Sequence, residues 1–369
     1  MREYEERVKN LQLQMSKDEI DAIVIMDLAN YVYYTGDLRK QPRAFIPQEG
    51  NPALLVFRGE SESLKQASWI KDVRPYTAVH EMIVAIINLL KEHGCEEGTV
   101  GLHMDFSLPA FLYERFKLAN PTVSVVDASD TLIEMRLTKS PSEIELMRKA
   151  QEIAAKGMDT AQEFLRPGVS EQEVLAEITY TMRREGASGF GFEPFVNSGE
   201  RSQGLHGVAT DRVVQHGDPV LIDVSPMYRG YHGNLTRVLN LGPPSQGLVQ
   251  VSEAYDHARK AAMDAARPGV KVMQLDNAFY GALKEHGMGD YQIRGIAHGI
   301  GLNFEEKPFS TIFPEHMMVR LREDMVLSFG HPILWVPGKG AARIEDVFHL
   351  TSEGPEQLVE YDSGIIGVD

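Results

Sequence analysis

Val220-Leu-Ile-Asp223-Val-Ser-Pro-Met-Tyr-Arg-Gly230-Tyr-His-Gly-Asn234-Leu-Thr-Arg237 sets a lone carboxylate at the end of an otherwise apolar strand. A strand buried on both faces does not end in an unpaired Asp, so Asp223 predicts a metal, a cation or hydrogen-bond donors beside it. The next strand approaches through Gly230–Arg237. Further on, Ala297-His-Gly-Ile-Gly-Leu302 holds His298 among small residues, where a ligand can come close to the backbone. Near the C-terminus, Ala342-Arg-Ile-Glu-Asp346 carries Glu345 in a short β-rich stretch. An Asp, a His and a Glu on separate strands are the oxygen and imidazole donors of a metal or catalytic site.

Around these segments the pattern is helix and strand in two styles. Up to about residue 130 short apolar strands (21–26, 53–57, 99–103, 123–127) alternate with helices, which predicts a small α/β domain. Asn30–Gly36 reads as a helical turn ending on glycine, and a helix is expected from Ser107 to Leu118 with Ser107 as its cap and Pro109 in its first turn. A polar turn with Pro141 then opens an amphipathic helix, for which Ser142 and Glu145 have capping-box spacing. Beyond it, helices (142–164, 171–185, 248–266, 273–286) are interleaved with strands near 192–197, 219–224, 234–240, 325–330 and 343–349. That predicts an α+β layer of antiparallel sheet covered by helices. Pro167-Gly168 and Pro268-Gly269 sit in matching contexts about 100 residues apart, which hints at internal duplication beside the plainer reading of a common turn. The domains are expected at 1–138 and 139–369.

Bulk properties exclude several classes. The net charge of −16 argues against a phosphate backbone as partner, so no nucleic acid is expected. Cys95 is the single cysteine, which excludes an internal disulfide and a thiolate-rich zinc site; it reads as incidental. The opening Met-Arg-Glu-Tyr-Glu-Glu-Arg has no apolar core and no long apolar run follows, so neither a signal peptide nor a membrane span is expected, and a cytoplasmic location is.

Taken in order, Leu221-Ile-Asp-Val, the Gly-Tyr-x-x-x-Leu-Thr-Arg run, His298-Gly-Ile-Gly-Leu and Arg343-Ile-Glu-Asp resemble the creatinase/prolidase/methionine aminopeptidase superfamily. Arg136-Leu-Thr-Lys-Ser-Pro-Ser-Glu-Ile resembles its interdomain segment, and Tyr34-Thr-Gly36 its N-terminal domain. The resemblance implies a pita-bread catalytic domain preceded by a smaller creatinase-type domain. It makes the Pro-Gly repeat a mark of two pseudo-twofold halves. The family's metallopeptidases use Asp, Asp, His, Glu and Glu as ligands. Here the first Asp falls on Asp223, the His on His298 and the last Glu on Glu345. The second Asp falls on Asn234, and the fourth ligand on Gly330 or His331, depending on the register. The second His that such peptidases carry seven residues on is Glu305.

A two-ion site balances about four positive charges with about four carboxylates, and only Asp223 and Glu345 match, so a dinuclear centre is not expected. The cofactor expectation is no metal, or one divalent ion held by Asp223, Asn234, His298, His331 and Glu345. By the resemblance, His206 in Gly204-Leu-His-Gly207 is the histidine over the reacting group, against the plainer reading of a loop histidine. The partner Glu of creatinase falls on Thr236, which leaves His232 and Glu305 as substitutes. Arg43 or Arg39 is the arginine that creatinase sends into the neighbouring subunit's site, and Arg343 is a further substrate-binding candidate. The main functional expectation is a creatinase-like hydrolase cleaving a C–N bond of a small carboxylated compound, with His206, His298, Glu345 and Glu305 as its catalytic groups. The alternatives are a one-metal Xaa-Pro dipeptidase-like hydrolase or lyase, and a binding protein without activity. A homodimer acting on a small molecule is expected.

Overall fold

The structure, a computed structural model, describes residues 2–40, 43–105, 108–205, 207–291 and 294–368. It divides into two compact units, Met1–Arg136 and Leu137–Asp369. Among the described residues no helix is long and apolar enough to cross a membrane.

The N-terminal unit is built on a six-stranded mixed sheet in the order Asp72–Tyr76, Ala53–Phe57, Ala44–Pro47, Ala22–Ile25, Thr99–Leu102, Ser124–Asp127. The apolar run at Ala22–Ile25 is buried at every position and lies centrally, antiparallel to Ala44–Pro47 and parallel to Thr99–Leu102. Helix Leu28–Thr35 is capped by Asp27, whose carboxylate accepts the Asn30 N–H. It ends on Gly36 at φ 73°, the left-handed cap expected of that glycine. The expected helix from Ser107 instead runs from Ala110 to Ala119, with Pro109 in the capping position. A proline disfavours helical geometry in the residue before it, so Leu108 cannot belong to the helix. Ser107 lies outside the described residues.

The C-terminal unit opens with helix Pro141–Phe164, and its cap lies two residues earlier than expected. Ser140 accepts the Glu143 N–H at 3.3 Å, and the Glu143 carboxylate accepts the Ser140 N–H at 3.0 Å. Pro141 then occupies the first helical position, where a missing N–H costs nothing. Ser140→Ala is therefore expected to lower stability by about 1 kcal/mol, while Ser142→Ala stays within about 0.5 kcal/mol of wild type in urea denaturation.

Two similar halves make up this unit. Helices Pro141–Phe164 and Glu171–Arg184 share a core with strands Phe195–Ser198, Pro219–Val224 and Leu235–Leu241, through Met158, Ile178, Met182, Val220, Ile222 and Leu239. Helices Gln246–Ala265 and Val272–Glu285 share another with Ala297–Gly299, Val326–Phe329 and Asp346–Thr351, through Tyr255, Phe279, Leu327 and Phe348. The Pro-Gly turns correspond in detail. Gly168 and Gly269 stand at φ 94° and 91°. Their N–H groups donate to Val214 O and Leu321 O, and the bridges Ser170↔Val213 and Lys271↔Arg320 follow each turn. This geometry favours duplication over a chance turn.

The backbones of the halves pair at Thr236 and Glu345. Thr236 N donates to Glu345 O at 3.1 Å, and Glu345 N returns to Thr236 O at 3.2 Å. Arg237, wholly buried, donates Nη1 to both Thr236 O (2.8 Å) and Glu345 O (3.1 Å). The strand expected over 343–349 is accordingly split. Gly340–Ala342 pairs with Leu334–Val336, Arg343–Glu345 crosses to the junction, and Asp346–Thr351 joins the five-stranded sheet.

Candidate metal centre

Strand register places the site. Asp223 pairs with Thr236, and Thr236 bridges to Glu345, so the two carboxylates lie in one row across the junction. In the adjoining sheet His298 pairs with Ser328. Asp223, Asn234, Thr236, His298, Ser328, Arg343 and Glu345 are all buried.

Glu345 is the hub. Its Oε2 accepts from Arg343 Nη2 at 2.5 Å and from Thr236 Oγ1 at 3.3 Å. Its Oε1 accepts from Ser328 Oγ at 2.9 Å and faces His298 Nε2 at 3.4 Å and His331 Nδ1 at 3.7 Å. The other end of Arg343 reaches Asp223 Oδ2 from Nη1 at 2.5 Å. Asn234 donates Nδ2 to Ser328 Oγ at 3.0 Å and leaves its Oδ1 without a partner.

The imidazoles are oriented from outside. His298 Nδ1 lies 2.8 Å from Gly299 O, which fixes the proton on that nitrogen and turns the Nε2 lone pair inward. His331 Nε2 lies 3.8 Å from Glu305 Oε1, turning Nδ1 inward. The inward atoms, His298 Nε2 and His331 Nδ1, have no hydrogen-bond partner. An outer ring nitrogen held by a carbonyl, as in His298, with the inner one free, is the usual setting of a metal-binding histidine, and His331 has a carboxylate near its outer nitrogen. One ligand atom from each of His298, His331 and Glu345 falls within 4.8 Å of the others, the one such group among the described residues.

Charge follows from these contacts. Burial raises the Asp223 carboxyl to about 6, with Arg343 opposing and Glu345 adding to the rise. Glu345 meets the same burial penalty, but Arg343 and the two imidazoles outweigh it and hold the group well below the usual carboxylate range. Burial pushes His331 down, towards the neutral form that binds metal, whereas in His298 the pull of Glu345 overcomes burial and raises the imidazole.

His298, His331 and Glu345 are imidazole and carboxylate donors that suit a divalent ion. The amide of Asn234 cannot bridge as a carboxylate does. Gly330 leaves no room for a fourth ligand: it sits at φ 113°, and a Cβ there would lie 1.8 Å from Ile344 O. His331 therefore supplies the side chain that the sequence left open between the two positions. Gly330→Ala is expected to lose about 3–5 kcal/mol by denaturant titration, because backbone strain and a backbone clash coincide.

Other expected residues take different places. Arg343 is 2% exposed with both terminal nitrogens committed to carboxylates, so it is a buried countercharge and not a substrate clamp. His232 is buried behind Phe304, with Nδ1 3.0 Å from Gly301 O. Phe304 in turn stands 5.4 Å from the His298 ring. Glu305 is the partly exposed carboxylate of the group. Arg39 and Arg43 belong to the N-terminal unit, Arg39 paired with Asp37 and Glu60, and Arg43 with its Nη1 3.4 Å from Met26 O. His206 lies outside the described residues. Ser328 and Thr236, which position Glu345, were not singled out as site residues, and polar residues inside apolar strands were the available signal.

Comparison with known proteins agrees over nearly the whole length. Residues 145–352 match the model of metallopeptidase family M24, and residues 7–138 that of the creatinase/prolidase N-terminal domain. The Xaa-Pro dipeptidase of Pyrococcus horikoshii is 32% identical over 362 residues, covering 98% of this chain and 99% of that protein. The Xaa-Pro dipeptidase of Pyrococcus furiosus is 30% identical, covering 98% and 99%. Among solved structures, the prolidase from Pyrococcus horikoshii superposes with a TM-score of 0.87 at 30% identity, covering 97% and 99% of the two chains. The Xaa-Pro dipeptidase from Bacillus anthracis gives 0.89 at 26%, covering 99% and 100%.

Proposed function

The chain belongs to metallopeptidase family M24, with the creatinase/prolidase N-terminal domain and pita-bread catalytic domain, and is a hydrolase of C–N bonds; from that premise we propose that it hydrolyses Xaa-Pro-type dipeptides with one divalent ion held by His298, His331 and Glu345. The observation that carries this reading is the convergence of two unpartnered imidazole nitrogens on one oxygen of Glu345. It replaces the creatinase-like expectation. The relatives are named as dipeptidases, and Thr236, at the position of creatinase's partner Glu, hydrogen-bonds to Glu345 instead.

The chemistry such an ion supplies is Lewis acidity, which polarises the scissile carbonyl and makes a water acidic enough to attack near neutral pH. Glu305, a partly exposed carboxylate 3.8 Å from the outer nitrogen of His331, is assigned by its place in the sequence motif the transfer of a proton from the attacking water to the leaving amine. His206, by its place in the sequence motif, is the second group for that transfer. Asp223 gives its Oδ2 to Arg343 and keeps a buried, unpartnered Oδ1, and Asn234 adds an unpartnered amide oxygen, so both are further neighbours of the ion. A cytoplasmic homodimer, with Arg43 or Arg39 reaching a neighbouring subunit, remains part of the proposal; light scattering of the active protein tests the assembly.

The deciding experiment measures release of proline from a panel of Xaa-Pro dipeptides, with creatine as control, in Mn²⁺ and in chelator. Dipeptide hydrolysis that chelation abolishes is the expected result. Creatine turnover that survives chelation would restore the creatinase-like reading.

A further inference from the structure

We infer that Glu171 is the positioning residue for His206: its carboxylate closes the loop that carries this histidine and, through Arg201 and Asn197, fixes the backbone beside it. The inference rests on the role proposed above for His206.

Residues 199–218 leave the sheet between strands Phe195–Ser198 and Pro219–Val224, and His206 falls within them. Glu171, the first residue of helix Glu171–Arg184, is 0% exposed and sets its charge at the positive end of the helix. Its Oε1 accepts from Ser198 N and Ser198 Oγ, both at 2.8 Å, where the loop begins. Its Oε2 accepts from Thr210 N at 2.9 Å and Thr210 Oγ1 at 2.8 Å, beyond His206 in the chain. Arg201 Nε donates to both oxygens at 3.2 Å. One carboxylate thus ties both ends of segment 198–210 to one helix terminus, with charge-assisted bonds that are roughly twice as strong as neutral ones.

From there the contacts run to the neighbours of His206. Arg201 Nη2 donates to Val208 O and, at 3.4 Å, to Asn197 Oδ1. The wholly buried Asn197 amide donates Nδ2 to Gly207 O at 3.0 Å. That approach requires a glycine, since a Cβ at 207 would stand 2.6 Å from Asn197 Oδ1. On the other side of His206, Leu205 packs against Leu221, Val238, Ile333 and Ala341. Asn197 pairs with Leu221 in the strand that also bears Asp223. Both flanks of His206 are therefore tied to that strand. An acid–base group works only within hydrogen-bond reach of the proton it moves, so holding its flanks is worth rate.

The test compares Glu171→Gln, His206→Ala and the double variant as full-length chains in Mn²⁺, on the best substrate of the Xaa-Pro panel, with hydrogen exchange read over residues 199–210. Glutamine keeps the shape of the side chain, but its Nε2 is a donor set against the donors of Ser198 or Thr210. Glu171→Gln is expected to lower kcat by about 10²-fold, with KM and Mn²⁺ affinity within about 2-fold of wild type. Exchange should quicken in 199–210 and stay unchanged in 219–224. In the His206→Ala background the same substitution should lower kcat by less than about 2-fold, because the group it positions is already gone. A merely structural role would give losses that multiply, or a fall in Mn²⁺ affinity that matches the fall in kcat. Either result, or exchange in 199–210 equal to wild type, overturns the assignment. If Glu171→Gln fails to fold, Asn197→Asp decides by the same comparison, since it removes the donor to Gly207 O and leaves Glu171 in place. A His206→Ala protein with wild-type kcat, or a panel without a substrate, contradicts the reading above, while exchange over 199–210 still judges the hold of Glu171 on the loop.

Discussion

His331→Ala is expected to weaken divalent-ion binding by at least about 100-fold and to lower kcat/KM for dipeptide hydrolysis by about 10²–10⁴, with the fold retained. The reason is local. His331 presents a buried, unpartnered Nδ1 towards Glu345, and burial keeps the ring in its neutral, metal-binding form. No neighbour can take over, because the adjacent position is Gly330, whose backbone leaves no side-chain space. Glu305→Gln should act more gently on binding, about 10-fold, since it reaches the ion's ligands through the outer nitrogen of His331, 3.8 Å away. Calorimetric titration with Mn²⁺ and steady-state kinetics on the two variants check this order. Equal ion affinity in His331→Ala and wild type would remove His331 from the site.

The largest loss of stability is expected at Asp346. Its carboxylate is wholly buried and takes Arg237 Nη2 on Oδ1 at 2.6 Å and Arg259 Nη1 on Oδ2 at 2.7 Å. Asp346→Ala leaves two buried guanidinium groups without their shared countercharge. Breaking a buried pair from one side costs about 3–5 kcal/mol, and here two cations lose it at once, Arg259 keeping only Asp256 at 3.4 Å. The damage should reach the site, because Arg237 also holds the Thr236 and Glu345 carbonyls where the halves meet. Urea denaturation should show a midpoint well below wild type, and the ion affinity should fall with it. A change within about 1 kcal/mol would mean that the network contributes little to the junction.

The sequence exposed the elements more fully than their connections. Buried strands such as Ala53–Phe57 and Pro219–Val224 announce themselves as apolar runs, and Gly36 as a helix stop, because those properties are local. Ser140 and Ser142 compete for the same cap within one turn, and only the preference of Pro141 for the first helical position separates them. Asp223, His298 and Glu345 were legible as chemistry from their unusual placement in strands. Whether Gly330 or His331 faced them was not, since that depends on a positive φ and on where Ile344 O lies. The place of Arg343 was illegible for a similar reason. An arginine beside a glutamate in sequence looks the same whether it greets a substrate or bridges two carboxylates from different strands. Asp346 and Arg237 lie in the same motifs that marked the site, yet their mutual contact arises only when the two half-sheets meet.

The most direct test of the one-ion account is anomalous diffraction from crystals of the whole chain equilibrated with Zn²⁺ or Mn²⁺. The account predicts one anomalous peak per chain, ligated by His298, His331 and Glu345, with Arg343 still bridging Asp223 and Glu345. Two peaks, or a single peak on Asp223 and Asn234 with His331 turned away, would contradict it.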